Sequence, residues 1–202
     1  MATAHGGGRG RAARSDLLSR QGLPADLRAL AQKYPRETWD RHANLGEMAR
    51  FWLDRHGMFR ELGAALVEGA GEFREERVAV RPFVGWFAPR FNFFLEQLHS
   101  HHMVEDHHYF PVFRAAEGRL ARGFDILDAD HGTIDALLHE LSETGGQLDD
   151  ALAGRGDIKA ARAALADRLD ATLPALLRHL DDEEELVIPL ILDRTEGALG
   201  VG

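Results

Sequence analysis

The chain has 202 residues, enough for one domain with a tail, and carries 33 acidic against 24 basic residues for a net charge of −9. That balance excludes a nucleic-acid surface, which needs a clustered basic patch, and an anionic membrane surface. It has no cysteine, which excludes disulfides, thiolate zinc sites, iron–sulfur clusters and thiol catalysis.

Residues 1–22, rich in Gly, Ala and Arg, read as a disordered or loosely attached arm. No apolar stretch follows its arginines, so no secretory signal is expected. No run of 18 or more apolar residues predicts a membrane span, and a cytoplasmic protein is the default. A short helix is expected from Pro24 to Lys33, with Pro24 in its first turn and Pro35 breaking the pattern. The spacing of Trp39, Leu45, Met48, Phe51, Trp52, Phe59, Leu62 and Leu66 predicts a first long helix over 36–68, ended by Gly69 and Gly71. Residues 70–88, with Val78, Val80, Phe83, Val84 and Trp86, are expected as a connection packed over one end of the helices. A second helix is predicted over 89–116, and a third over 124–153 despite Gly145 and Gly146. A fourth starts at an Asp157 cap, runs to about Asp193 and is kinked at Pro174. Four amphipathic helices predict an all-α, up-down-up-down four-helix bundle over 36–196. An arm with a short helix (1–35) precedes it and a tail (197–202) follows.

Two helices carry one pattern, written as His101-x3-Glu105-x5-Pro111 and again as His179-x3-Glu183-x5-Pro189. Residues four apart lie on one helix face, so each copy points an imidazole and a carboxylate the same way. The halves of the chain also echo each other: His56-Gly57 opens a segment that aligns with His131-Gly132. Counted from their connecting turns, His56 and His101 lie at equal depth, and so do His131 and His179. His42 shares the face of His56 but lies ~21 Å away at ~1.5 Å rise per residue, too far for one site. Four imidazoles and two carboxylates are too many for one ion. They suit two, with each Glu bridging, an oxo or hydroxo bridge, and about one open position per ion. Imidazole and carboxylate are ligands for iron, manganese or zinc. The acids Asp181, Asp182, Glu184 and Glu185 read as a solvated face, and His107 and His108 as a solvent-facing cluster. Tyr109 reads as a bundle residue, with a hydrogen-bond donor or redox-active phenol near the site as the alternative.

These residues resemble the hemerythrin-like family, the HHE cation-binding domain, over about residues 40–193. The resemblance rests on the paired H-x3-E motifs, on Phe110-Pro111 and Ile188-Pro189 after them, and on the separate histidines of helices one and three. It implies a hemerythrin-type bundle around a non-heme di-iron centre held by His56, His101, Glu105, His131, His179 and Glu183. The family's oxygen carriers have a second histidine four residues away on helix three. Here those positions are Leu127 and Asp135, and some relatives fill the gap with the residue that corresponds to His102. The oxygen carriers also space the last acid five residues from its histidine, where this chain uses four. A ferritin-like reading of Glu96-x2-His99 and Glu105-x2-His108 is rejected, because both strings lie on one helix with no partner on the fourth.

The expected function is binding or sensing of O2, NO or a peroxide at an open iron position, in an apolar pocket of Leu53, Phe59, Leu98, Ile134 and Leu176. The alternative is a di-iron enzyme that detoxifies peroxide or NO, or carries out an O2-dependent oxidation. It would need an electron-donor protein, since the sequence shows no flavin, NAD or haem motif. A structural zinc or scaffold bundle is the third reading.

Overall fold

The computed structural model describes residues 16–202, so the arm expectation for residues 1–15 lies outside the described residues. The apolar spacing yields four long rods. They are α2 (Glu47–Arg74), the pair α3 (Val80–Val104) and α4 (Phe110–Ala116), α5 (Ala121–Leu152) and α6 (Ile158–Arg194). A π-helical turn at Glu105–Tyr109 fuses α3 to α4 without a break. Two short helices, α1 (Ala29–Lys33) and α7 (Glu196–Leu199), flank the bundle, and no strand occurs among the described residues. α6 packs most extensively against α5 and α2, and α2 against α3, the adjacency of an up-down-up-down bundle.

The punctuation differs from the sequence expectation in three places. The stretch 36–41 is a 3-10 turn, and α2 begins only at Glu47, where Glu196 of α7 accepts the backbone N–H of Ala49 at 2.8 Å. Gly69 and Gly71 do not end α2. A Cβ on Gly69 would come within 2.6 Å of the Trp86 ring, so that glycine permits close approach of two helices. The expected connection at 70–88 is largely helix, for α3 starts at Val80 and contains Pro89. Pro89 removes one helical hydrogen bond, and the Arg90 guanidinium donates to the nearby Trp86 carbonyl at 2.8 Å. α6 runs as one helix through Pro174, the expected kink position, and through Pro189.

The described residues before α2, 16–46, are packed, not loose. Leu23, Leu27 and Trp39 are buried and cover the side of α6 that the other helices leave open, while Leu17 is buried in the other apolar cluster, with Phe59 and Leu98. Leu186 to Leu192 are accordingly buried without a break. The interior has two apolar clusters. One, around Phe59, Phe73, Phe91, Leu98, Ile134 and Leu176, fills the α2–α3 end. The other, around Trp52, Phe110, Phe124 and Ile188, fills the end under the N-terminal segment. Between them lies a layer of buried polar side chains.

Candidate metal centre

The polar layer follows from helix phase. α2 buries Trp52, His56 and Phe59 at spacings of four and three, so one stripe carries an imidazole between two apolar rings. α5 buries Asp130, His131 and Ile134, and α6 buries His179, Asp182, Glu183 and Glu184. On the α3–α4 rod the buried positions are His102, Glu105, Phe110 and Phe113. The step of five from Glu105 to Phe110 is the mark of the π turn. It turns Glu105 inward and brings Asp106 beside α5 while keeping Phe110 in the core.

All seven residues named from the sequence meet here. Their donor atoms fall into two sets, each within 4.8 Å: His102, Glu105, His131 and His179, then His56, His101, Glu105 and Glu183. Glu105 belongs to both. Its Oε1 lies 2.9 Å from His101 Nε2 and its Oε2 lies 3.5 Å from His131 Nε2. Glu183 spans the same divide, with Oε1 3.3 Å from His56 Nε2 and Oε2 3.1 Å from His179 Nε2. His102 stacks on His131 with ring centroids 4.1 Å apart.

Other residues weighed from the sequence lie elsewhere. Leu127 is buried in apolar surroundings, and Asp135 is exposed beside His99. His42 accepts from the backbone of Asn44 and meets the Tyr34 ring edge-on. His107 Nδ1 donates to the Met103 carbonyl at 2.8 Å on the exposed side, and His108 is also exposed. Tyr109 packs on Trp52 at 5.0 Å and on Phe113. Of the expected apolar lining, Phe59, Leu98, Ile134 and Leu176 form the cluster on one side of the layer, while Leu53 packs with the cluster on the other.

The sequence reading missed the groups behind the imidazoles. The Nδ1 of His56 meets Glu184 at 2.9 Å, that of His131 meets Asp106 at 2.7 Å, and that of His179 meets Asp130 at 3.4 Å. A carboxylate on Nδ1 holds the proton there, so Nε2 presents its lone pair to the centre. Trp52 Nε1 donates to Glu183 Oε1 at 2.6 Å. Glu184 is held in turn by Arg60 at 2.6 Å and by Arg36. The expected solvated face is therefore half wrong: Asp182 and Glu184 are buried, and Asp181 is exposed. The signal was available in helix phase, since Asp182 lies three residues from His179.

The electrostatics are those of donors pressed together. Burial, with Glu183 alongside, holds the Glu105 carboxyl well above the usual range. Burial would raise Glu183 too, but His56 and His179 outweigh it and hold Glu183 well below. Burial opposes charge on His179, yet Asp130 and Glu183 push its pKa up to about 9. His56 is raised against the same burial by Glu183 and Glu184. His101, buried and beside His56, falls to about 3, and His102 is lowered well below its ordinary value, mainly by burial.

These donors fit a pair of cations. Both oxygens of Glu105, Oε2 of Glu183 and both ring nitrogens of His102 are buried without a hydrogen bond. Such groups cost about 1–3 kcal/mol each when unmet. Imidazole nitrogens lie 2.9 to 3.5 Å from those carboxylate oxygens, and imidazole nitrogens also press on one another. His56 Nε2 lies 3.0 Å from His101 Nε2, and His131 Nε2 lies 3.2 Å from His179 Nε2. Two nitrogens at ~2.1 Å from one ion and at right angles would be about 3.0 Å apart.

Comparison with known proteins agrees with this geometry. The family model for the hemerythrin HHE cation binding domain matches residues 47–191. Searches of curated proteins and of solved structures returned no match.

Proposed function

The chain belongs to the hemerythrin HHE cation-binding family, and on that premise we propose that it holds two iron ions and takes up O2, NO or a peroxide at the His56–His101 set. The observation that carries the reading is the sharing of Glu105 between two donor sets. One carboxylate reaching both sets is what a paired centre requires and a single structural ion does not. The donors are imidazole and carboxylate throughout, a choice that favours iron, manganese or zinc over softer or harder metals. An iron pair, when bound, supplies reversible one-electron chemistry per ion toward a small ligand.

The remaining work falls to the protein. Glu184, Asp106 and Asp130 fix the tautomers of His56, His131 and His179. Trp52 orients Glu183. Phe59, Leu98, Ile134 and Leu176 are fully buried beside the layer and exclude water from that side. Each set offers four protein side chains, so a six-coordinate ion would have room for an added ligand, and the His56 set is the one whose imidazole, His101, reaches solvent.

Metal analysis of protein made in iron-replete cells is the direct test, followed by anaerobic reduction and addition of NO or O2. About two irons per chain and new visible absorption bands are expected. One zinc per chain without iron, or a spectrum unmoved by either gas, would overturn the reading. A catalytic reading is favoured by one further observation. The Trp52 ring lies 6.2 Å from both His56 and His101 and 5.0 Å from Tyr109, a chain of neighbouring aromatic rings from the half-buried Tyr109 along which an electron-donor protein could deliver electrons. Peroxide or NO turnover that collapses in His101→Ala would favour it over reversible binding.

A further inference from the structure

The N-terminal segment lies outside the stretch that matches the family, yet it reaches the centre from behind. Arg20 is almost wholly buried, with 1% of its side chain exposed. Its guanidinium donates to Asp130 through Nη1 at 2.7 Å and also through Nη2, and to Asp182 through Nε at 2.8 Å. Asp130 Oδ2 is the same oxygen that meets His179 Nδ1. Asp182 immediately precedes Glu183, and it also accepts the backbone N–H of Leu23 at 3.1 Å. Leu17 and Leu23 are buried on either side of Arg20. The same segment supplies a second arginine, Arg36, to Glu184, the carboxylate behind His56. One stretch of chain thus sends a guanidinium to the backing carboxylate of each half of the centre.

The two contacts are unequal. Arg36 is half exposed and shares Glu184 with Arg60. Arg20 is sealed in, and among the described residues no other arginine or lysine pairs with Asp130. A planar guanidinium with two parallel bonds to one carboxylate fixes that group's orientation as well as its charge.

We infer that Arg20 is a positioning residue for the centre: by clamping Asp130 against His179 and Asp182 beside Glu183, the N-terminal segment sets how firmly the His102–His131–His179 set holds its cation. This inference rests on the two-cation reading above. It makes the segment part of the site rather than a cover over the helices. An outer partner of a ligating histidine is typically worth 10–100-fold in metal affinity. Arg20 acts one bond further out, so roughly the lower end applies.

The test compares the full chain with its Arg20→Met, Arg20→Lys and Arg36→Met variants. Each is loaded anaerobically with ferrous ion alone, and release to a chelator is followed. The parent should hold two ions per chain. Arg20→Met should release one of them roughly tenfold faster and leave the other at the parent rate. Arg20→Lys, which keeps the charge without the paired geometry, should fall between. Arg36→Met should stay within about twofold of the parent, because Arg60 remains on Glu184. Selective loss of one ion is a signature that general destabilisation would not give. Parent release rates for both ions in Arg20→Met, with only a lower melting temperature, would make Arg20 a fold-holding residue and overturn the inference. If Arg20→Met does not fold, Arg20→Lys decides it by the same split in rates. A parent chain holding fewer than two ions would overturn the reading of the site itself, and this inference with it.

Discussion

The two donor sets are built from similar parts to different degrees of closure. The first draws three imidazoles from three helices, and His102, His131 and His179 are each at most 2% exposed. The second has two imidazoles, and His101 is the most exposed of the five at 10% of its side chain. The first is backed by Asp106 and by Asp130 with the sealed Arg20, the second by Glu184 with two partly exposed arginines. The difference teaches where exchange belongs. On the proposed reading, a cation held by three imidazoles with fixed outer partners would be the resident, and its neighbour, with two imidazoles and His101 reaching solvent, would be where a ligand comes and goes.

The largest expected effect removes what the halves share. Glu105→Ala should lose both cations together, with affinity falling more than ~100-fold. In the metal-free protein the cost of the cavity this leaves should be largely offset, because a buried carboxyl without a hydrogen bond disappears. Loss of one ion with the other kept at full occupancy would break the comparison, since the two halves could not then both depend on the shared carboxylate. The next effect separates the halves. His179→Ala should empty the three-imidazole set and destabilise the fold by ~2–3 kcal/mol through the cavity it leaves. His101→Ala should keep that ion and abolish the optical response to added NO. Equal metal loss in both variants, measured by metal content after dialysis, would show that the halves do not differ.

How much of this was legible in the sequence depends on what kind of signal each feature leaves. The four rods and the meeting of six residues were readable because the repeated His-x3-Glu motif and the matched depths of the histidines are periodic, while His102 came only from the family resemblance. Depth matching survived errors in the helix ends. Gly69 was read as a stop and Pro89 as a start, and both mistakes lengthened the same turn, so their effects largely offset. Gly69 serves a helix contact with Trp86, a tertiary fact that local propensity does not record. The backing carboxylates were lost in charged runs, where Asp181 outside and Asp182 inside are chemically alike. Arg20 sits in an arginine-rich arm and has no local pattern at all. The π turn was written in the buried spacing of 102, 105, 110 and 113, which is recognisable only once burial is known.

A smaller effect sharpens the assignment of the second half. Trp52→Phe keeps the ring and removes the N–H that meets Glu183 Oε1, the oxygen on the His56 side. Affinity at the two-imidazole set should fall up to roughly tenfold, the low end for an outer partner, with the other set unchanged. Titration with ferrous ion, followed as two separate binding steps, reads this. A loss shared equally by both steps would place Trp52 behind the whole centre.

The smallest effect is a control that should not distinguish the halves. Glu117, at the corner between α4 and α5, accepts from Arg119 at 2.8 Å and from Arg194 at 2.9 Å, and chiefly Arg119 holds its pKa down at about 2. A depressed carboxyl contributes stability while ionised in both states. The contribution is therefore complete above its ordinary value of 4.5 and disappears as pH falls from there toward 2. Both arginines are substantially exposed, so solvent screens the pair and Glu117→Gln should cost only about 1 kcal/mol at neutral pH. Melting curves of the metal-free proteins should show parent and variant converging as pH falls from about 4.5 toward 2, and the loaded variant should hold both cations as the parent does. A variant that lost one cation selectively would mean that the corner communicates with one half of the centre, and the contrast between the halves would then reflect distant packing rather than their own ligands.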